Sequence, residues 1–345
     1  MRIAVLEAVC AGMCGDDPSP SLLAEGLAMW RAVVDDLLVI PGVSVETVIN
    51  DQWFSMLPPL PQFHARRTTD VVETMRCWES CLEDTDAAWI IAPECDGLLQ
   101  RLVESLPSRH RTFNAAPEAI QLCADKLALA QHLEQHGIAT IPTIAETWTV
   151  SLDDLKRGFV IKPRDGAGSQ LVRFVDEPAS WERTRREFRL QNDVQAVRQP
   201  YVNGVPLSIA GWFHAGGVQW FPVAEQVLGE EFERFMYCGG VIPAELSRPA
   251  QRVVQRLAAS AAATIPGLQG YIGFDIVFPL TTAFMEPRLV EINPRLTTSC
   301  LGIRKLCRAN WLRLLIANPK RPLIWHTDRR IHFTATGDVR EERLS

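Results

Sequence analysis

The segment Leu289-Val290-Glu291-Ile292-Asn293-Pro294-Arg295 sets polar residues at two-residue steps. In an extended strand that spacing puts Glu291, Asn293 and Arg295 on one face. A second run, Gly270-Tyr271-Ile272-Gly273-Phe274-Asp275-Ile276-Val277-Phe278, carries a single carboxylate in an apolar context. An acid isolated in a buried strand is costly unless something compensates it. If the two strands form a hairpin, Asp275, Glu291 and Asn293 converge as hard oxygen ligands. Such a set suits Mg²⁺, with Mn²⁺ as a substitute, because that ion shares its shell with waters and phosphate oxygens. Arg295 is then placed to act catalytically, on a phosphate or a developing oxyanion. The alternative is a buried salt bridge to one of the acids.

Upstream, Phe159-Val160-Ile161-Lys162-Pro163 reads as a strand, followed by Asp165-Gly166-Ala167-Gly168-Ser169 and a second strand-like run, Leu171-Val172-Arg173-Phe174-Val175. Phosphate loops of the nucleotide-fingerprint kind join a strand to a helix N-terminus, so this loop is of another kind. Its backbone N–H groups at Gly166, Gly168 and Ser169 can still close over phosphates while Lys162 reaches them. Lys126, starting a helix after Asp125, is a second phosphate candidate. For any lysine taken alone, a solvated surface charge is the ordinary alternative.

These residues need elements to hold them. Up to residue 118 the chain alternates strand-like runs (3–9, 43–49, 87–92 and a short 111–114) with helical ones (22–38, 70–82, 97–106). The βαβα rhythm predicts a small parallel sheet with helices on both faces. Ligands in such sheets bind beyond the carboxyl ends of strands, which places residues 11–21 and 93–96 at a site mouth. Residues 119–198 change character, with a helix over 125–136 and the glycine-rich loop between strands. Residues 199–317 add strands at 208–213, 271–278 and 289–293 and a helix over 250–263, leaving 318–345 as an irregular tail. The fold class is therefore α/β plus α+β, with units at 1–118, 119–198 and 199–317.

At 345 residues and a net charge of −6, the chain suits small-molecule chemistry and lacks the clustered basic surface of a nucleic-acid binder. Nine cysteines without framework spacing suit reduced thiols in a cytoplasmic protein, and no apolar run is long enough for a membrane helix. His132 and His136 sit at i, i+4, but Glu134 does not follow His132 directly, so they read as solvated helix residues rather than zinc ligands. Cys95 has no identifiable histidine partner and reads as structural. Trp53 and Phe54 beside residues 58–61 read as a packed loop, with a homodimer contact as the alternative.

Taken in order, Asp125-Lys126, Val160-Ile161-Lys162-Pro163 with residues 165–169, Gln199-Pro200-Tyr201-Val202-Asn203-Gly204, Gly273-Phe274-Asp275 and Glu291-Ile292-Asn293-Pro294-Arg295 resemble the motifs of the ATP-grasp superfamily over about residues 85–305. Within it, Leu22-Leu23-Ala24-Glu25-Gly26, Ala92-Pro93-Glu94, Asn114-Ala115-Ala116-Pro117-Glu118-Ala119 and Gly204-Val205-Pro206-Leu207-Ser208 resemble the branch containing tyramine–glutamate ligases of methanofuran-type cofactor biosynthesis.

The resemblance implies a parallel-sheet domain followed by a two-subdomain clamp around ATP. Lys126 and Lys162 would sit on phosphates, with residues 165–169 as lid. Gln199, Pro200, Tyr201 and Val202 would read adenine through the backbone, and Asp275, Glu291 and Asn293 would hold Mg²⁺. Members often carry ribose-binding glutamates where this chain has Gln199 and Pro206, so the ribose contact must differ. The implied activity is ADP-forming ligation of an acid, glutamate, to an amine, tyramine or a tyrosine-like compound. A kinase-like phosphotransferase or a non-catalytic nucleotide-binding protein are the alternatives. Glu25 or Glu94 could hold an ammonium, Arg304 and Lys305 a carboxylate, and Trp30 or Trp89 an aromatic ring, with the first 118 residues setting substrate specificity without touching ATP.

Overall fold

The computed structural model describes every residue except 16–17, 55–62, 167–170, 192–193, 232–233, 281–285 and 345. The lid candidates Gly168 and Ser169, and residues 58–61, lie outside the described residues.

The first unit is the expected parallel sheet. Strand β1 (Arg2–Glu7) is an unbroken apolar run, as a strand covered on both faces requires. It lies between β2 (Ser44–Asn50) and β4 (Ala87–Ile91), with β3 (Phe63–Thr68) and β5 (Arg111–Thr112) at the edges and all pairs parallel. Strand β3 departs from the sequence expectation. His64, Arg66 and Arg67 make it too polar to read as a buried strand, and an edge position tolerates that polarity. Helix α1 (Pro20–Leu38) starts where the Ser19 side chain accepts the Leu22 N–H and Pro20 fills the first turn. It buries Leu23, Met29, Trp30, Val33, Val34 and Leu37 against the sheet. Helices α2 (Asp51–Phe54), α3 (Val71–Glu83) and α4 (Leu98–Glu104) complete this unit.

Helices α5 (Pro117–Ala124) and α6 (Lys126–Gln135) lead into a small antiparallel sheet. It contains β6 (Ile144–Ala145), β7 (Phe159–Pro163), β8 (Arg173–Val175) and β9 (Ala196–Pro200), with α7 (Leu152–Arg157) and α8 (Pro178–Leu190). Its own core is Leu155, Phe159, Ile161, Val175, Trp181 and Phe188. The glycine-rich loop does join two antiparallel strands, β7 and β8.

The larger antiparallel sheet runs β15 (Arg288–Asn293), β14 (Gly270–Pro279), β10 (Gly204–His214), β12 (Ala224–Glu231), β13 (Arg234–Ile242), with β11 (Gly217–Trp220) paired to β10. Helices α9 (Arg248–Ala263), α10 (Cys300–Leu306) and α11 (Trp311–Ala317) belong to the same stretch of chain. The larger sheet meets the smaller through the register pair Arg234 and Arg173. Gly270, at φ +71°, starts β14 where any side chain would strike the backbone of Phe113, so the first unit and the larger sheet touch backbone to backbone.

The stretch expected to be an irregular tail contains a hairpin, β16 (Arg329–Thr334) and β17 (Val339–Arg343). Strand β16 pairs with β13 and buries Ile331 and Phe333. Only two apolar residues alternate there, too weak a pattern to read alone. The partner strand supplies the rest, because Gly239 (φ +130°) has no side chain to block Phe333.

Candidate active site

The smaller sheet, the larger sheet and α1 enclose a cavity of about 640 Å³. Strands β14 and β15 are antiparallel with Asp275 directly opposite Glu291 and Gly273 opposite Asn293, so the hairpin brings the three candidate ligands together. The Asn293 side-chain N–H donates to Asp275 Oδ2 at 2.9 Å, and Gln226 on β12 donates to Asp275 Oδ1 at 2.8 Å. Burial is the main cause raising the Asp275 carboxyl, and the neighbouring Glu291 adds to it. Burial alone would raise Glu291 as well. Lys162, Lys126 and Arg295 outweigh that and hold it low. Two facing carboxylates with amide support fit a divalent cation, which would remove their repulsion.

Lys162, near the end of β7, is 4% exposed, and its Nζ lies 3.6 Å from Glu291 Oε2. Burial lowers its pKa, Glu291 opposes the change and Lys126 reinforces it. Lys126 opens α6, where Asp125 caps Leu127 and Ala128 and is held by Arg164 at 2.6–2.8 Å. The Lys126 Nζ donates to the Gly166 carbonyl at 2.6 Å, tying the start of the glycine-rich loop to the helix. The two lysines and two acids thus line one cavity.

Gln199, Pro200, Tyr201 and Val202 form a further wall. Gln199 is buried with its side-chain N–H on Thr143 Oγ1 at 2.9 Å, which explains why a glutamine and not an acid stands there. The Tyr201 N–H is already committed to Gly158 O at 3.2 Å. Val160, Ile276 and Val290 supply an apolar slot beside these residues.

Arg295 also lines the cavity, but its Nε donates to Glu94 Oε2 at 2.8 Å. The salt-bridge alternative is therefore realised with an acid from the first unit and not with a metal-site acid. Two further connections were not legible beforehand. Asp96 N–H donates to Asp165 Oδ2 at 2.8 Å, joining the loop after β4 to the glycine-rich loop. Tyr271 OH bonds Ser299 and Thr297 at 2.7 and 3.0 Å, and Thr298 donates to Tyr237 OH at 2.8 Å, giving the floor a set of hydroxyls. A Thr-Thr-Ser run carries no catalytic signature, so only the fold exposes this role.

The remaining candidates fall as follows. Arg304 makes a two-pronged pair with Asp36 at 2.7–2.9 Å on the far end of α1, and Lys305 is exposed away from the cavity walls. Trp30 and Trp89 are each 1% exposed in the core, so neither walls the site. Of the first unit, the cavity takes Glu25, and among the described residues none of 11–21 lines it. His132 bonds Thr264 and stacks on His136 at 4.3 Å. Burial pushes the Cys95 thiol up to about 11, far from a thiolate at neutral pH.

Residues 123–299 match the ATP-grasp domain and residues 55–120 the pre ATP-grasp 3 domain. The chain belongs to the ATP-grasp family, with a pre-ATP-grasp parallel sheet ahead of the ATP-grasp unit. No curated protein matches the chain. Among solved structures, it is similar to an ATP-grasp superfamily protein from Archaeoglobus fulgidus, at 25% identity and TM-score 0.72, covering 97% of this chain and 92% of that one. It also resembles an L-amino acid ligase from Bacillus licheniformis (15%, TM-score 0.64, 96% and 78% covered). A biotin carboxylase from Campylobacter jejuni is similar at 14% identity and TM-score 0.69, with 96% and 74% covered. At those two identities the likeness concerns the fold.

Proposed function

We propose that this protein is an ADP-forming ligase that activates a carboxylate as an acyl phosphate and passes it to an amine. The observation that carries the reading is the facing of Asp275, Glu291 and Asn293 by Lys162 and Lys126 across one cavity. Phosphoryl transfer asks a protein mainly for positioning and charge neutralisation, and that is what these groups offer.

Asp275, Glu291 and Asn293 would hold Mg²⁺ or Mn²⁺, which supplies neutralisation of phosphate charge when bound. Lys162 and Lys126 would take the transferred phosphates, and the apolar slot by Val160, Ile276 and Val290 suits a planar base next to residues 199–202. Gly166 and the rest of the 165–169 loop would cover the phosphates and exclude water from the acyl phosphate. Arg295, positioned by Glu94, would steady the oxyanion formed when the amine attacks. The first 118 residues would set substrate choice, since Glu25 lines the cavity and Glu94 holds Arg295, which also lines it.

For substrates, the reading is L-glutamate as acid and tyramine or a tyrosine-like compound as amine, supported by the resemblance at residues 21–26 and 92–94. Among the described residues no helix is long and apolar enough to cross a membrane. We place the protein in the cytoplasm, acting on small molecules and not nucleic acid. The test is an ATP-consumption screen of acid and amine pairs beginning with these two, with products identified by mass. γ-Glutamyltyramine with ADP is the expected result. Turnover of another pair alone would overturn the substrates, and ADP with a stable phosphorylated product would overturn ligation.

A further inference from the structure

The end of the cavity beside Arg295 holds more negative charge than its own residues balance. Glu25, in the second turn of α1, reaches the cavity wall. Among the described residues it forms no hydrogen bond and no ion pair within 4 Å. Arg295 attracts it from a distance but is bonded to Glu94. Glu7 lies beneath the same helix turn, so close that a side chain at Gly26 would come within 2.6 Å of its Oε2; burial raises its carboxyl, while the Cys10 N–H at 2.7 Å and, more weakly, Arg295 oppose that. Glu94 is 6% exposed, with Oε1 buried and without a hydrogen-bond partner. Three carboxylates thus surround one guanidinium, which is already committed to one of them.

Unpaired carboxylates at a buried site call for a cation. A divalent metal ion is a poor occupant, because the fixed charge of Arg295 beside these acids repels it. An organic ammonium needs one carboxylate and a few hydrogen-bonding neighbours, and these are present. Tyr237 on β13 lies within electrostatic reach of both Glu25 and Asp275, and its hydroxyl already accepts from Thr298. Glu25 and the proposed metal site therefore open on one chamber.

We propose that Glu25 receives the amine substrate, pairing with its ammonium and then taking a proton from it. This rests on the ligase reading above. The ammonium R–NH₃⁺ gives one proton to the Glu25 carboxylate, and the freed lone pair attacks the acyl phosphate carbon. The C–N bond forms, the C–O bond to phosphate breaks, and the second proton leaves with the phosphate as hydrogen phosphate. Arg295 and Tyr237 lie within electrostatic reach of Glu25, with Glu7 packed against Gly26 of the same helix turn and Glu94 bonded to Arg295. Burial pushes the Glu25 carboxyl up to about 7, against the pull of Arg295, which suits a proton acceptor working near neutrality.

The test compares wild type with Glu25→Gln, which keeps shape and hydrogen-bonding ability and removes a partly buried charge. In calorimetry without ATP, tyramine and L-glutamate are titrated as separate ammonium probes. At least one should bind wild type, and about tenfold or more weaker to the variant, the scale of losing one charge-assisted contact. In the reaction with ATP, Mg²⁺ and L-glutamate, hydroxylamine serves as an amine that is neutral at pH 7. Hydroxamate formation should stay near wild type in the variant while amide formation with tyramine falls about a hundredfold, the scale of general-base catalysis. Equal binding by both proteins, binding of neither probe by wild type, or equal loss of both products would overturn the role of Glu25. If wild type forms no hydroxamate from any acid screened, the ligase reading fails separately and the calorimetry still decides Glu25.

Discussion

Arg295 Nε donates to Glu94 Oε2 at 2.8 Å, an ion pair between residues 201 positions apart that fastens the pre-ATP-grasp sheet to the end of β15. Both side chains are largely buried, at 14% and 8% exposure. Breaking one half of such a pair leaves the other charge unpaired, at a cost of about 3–5 kcal/mol. Arg295→Met, which strands Glu94, should destabilise on that scale in urea unfolding, and Glu94→Gln less, because Glu25 and Glu7 still act on Arg295. The double variant should lose clearly less than the two single losses added together. Additive losses would mean that the pair is not coupled.

Lys162 and Glu291 are each other's neighbours at 3.6 Å and face the proposed phosphate position. Lys162→Ala and Glu291→Gln should each cut the ligation rate by about a hundredfold or more, the size of one lost transition-state charge contact. Steady-state kinetics on variants with unchanged circular dichroism decides it. Near-normal rates in both would remove these residues from the site.

Asp275 and Glu291 face each other on paired strands, and burial is the first cause of the raised Asp275 pKa, with the Glu291 charge adding to it. Asp275→Asn should therefore melt higher than wild type in the absence of metal. Wild type should gain about 2.7 kcal/mol from Mg²⁺–ATP at a hundredfold excess over its Kd, and the variant far less. Chelation should abolish wild-type turnover, with Mn²⁺ or Mg²⁺ restoring it. Thermal unfolding with and without Mg²⁺–ATP reads both effects, and an equal gain in the two proteins would contradict the ligand assignment.

The Glu25 carboxyl is raised from 4.5 to about 7 in the folded protein by burial. Between those values the folded state holds a proton that the unfolded state has lost, so stability falls as pH rises through the window. The penalty is complete above about 7 and absent below 4.5. Glu25→Gln should thus gain on wild type from pH 4.5 to 7, reaching an advantage of order 1–3 kcal/mol. Denaturation midpoints across that range test it, and a constant difference between the two proteins would contradict the buried charge.

The metal-site hairpin was legible because two-residue alternation in Glu291, Asn293 and Arg295 has a single geometric meaning once a strand is assumed. The β-strand before the glycine-rich loop was legible for the same reason, and so was the parallel sheet, whose apolar runs are long. What could not be read were partners distant in sequence. Nothing local says that Arg295 meets Glu94 or that Arg304 is taken by Asp36. Gln226 and Tyr237 enter the site from β12 and β13, strands whose mixed polarity follows from having one wall on a polar cavity. Strands β3 and β16 escaped notice because edge pairing and a glycine on the neighbouring strand hold them, and neither leaves a strong pattern in their own residues.

The central claim is that a carboxylate oxygen attacks the terminal phosphoryl group of ATP in the cavity lined by Lys162 and Glu291. The most direct measurement uses the acid substrate, L-glutamate first, labelled with ¹⁸O in its side-chain carboxyl group, together with ATP, Mg²⁺ and the amine. Mass analysis of the released phosphate follows the label. Activation through an acyl phosphate moves one ¹⁸O atom from the acid into phosphate for every amide formed, alongside ADP. Amide formation with unlabelled phosphate, or with AMP in place of ADP, would contradict the account.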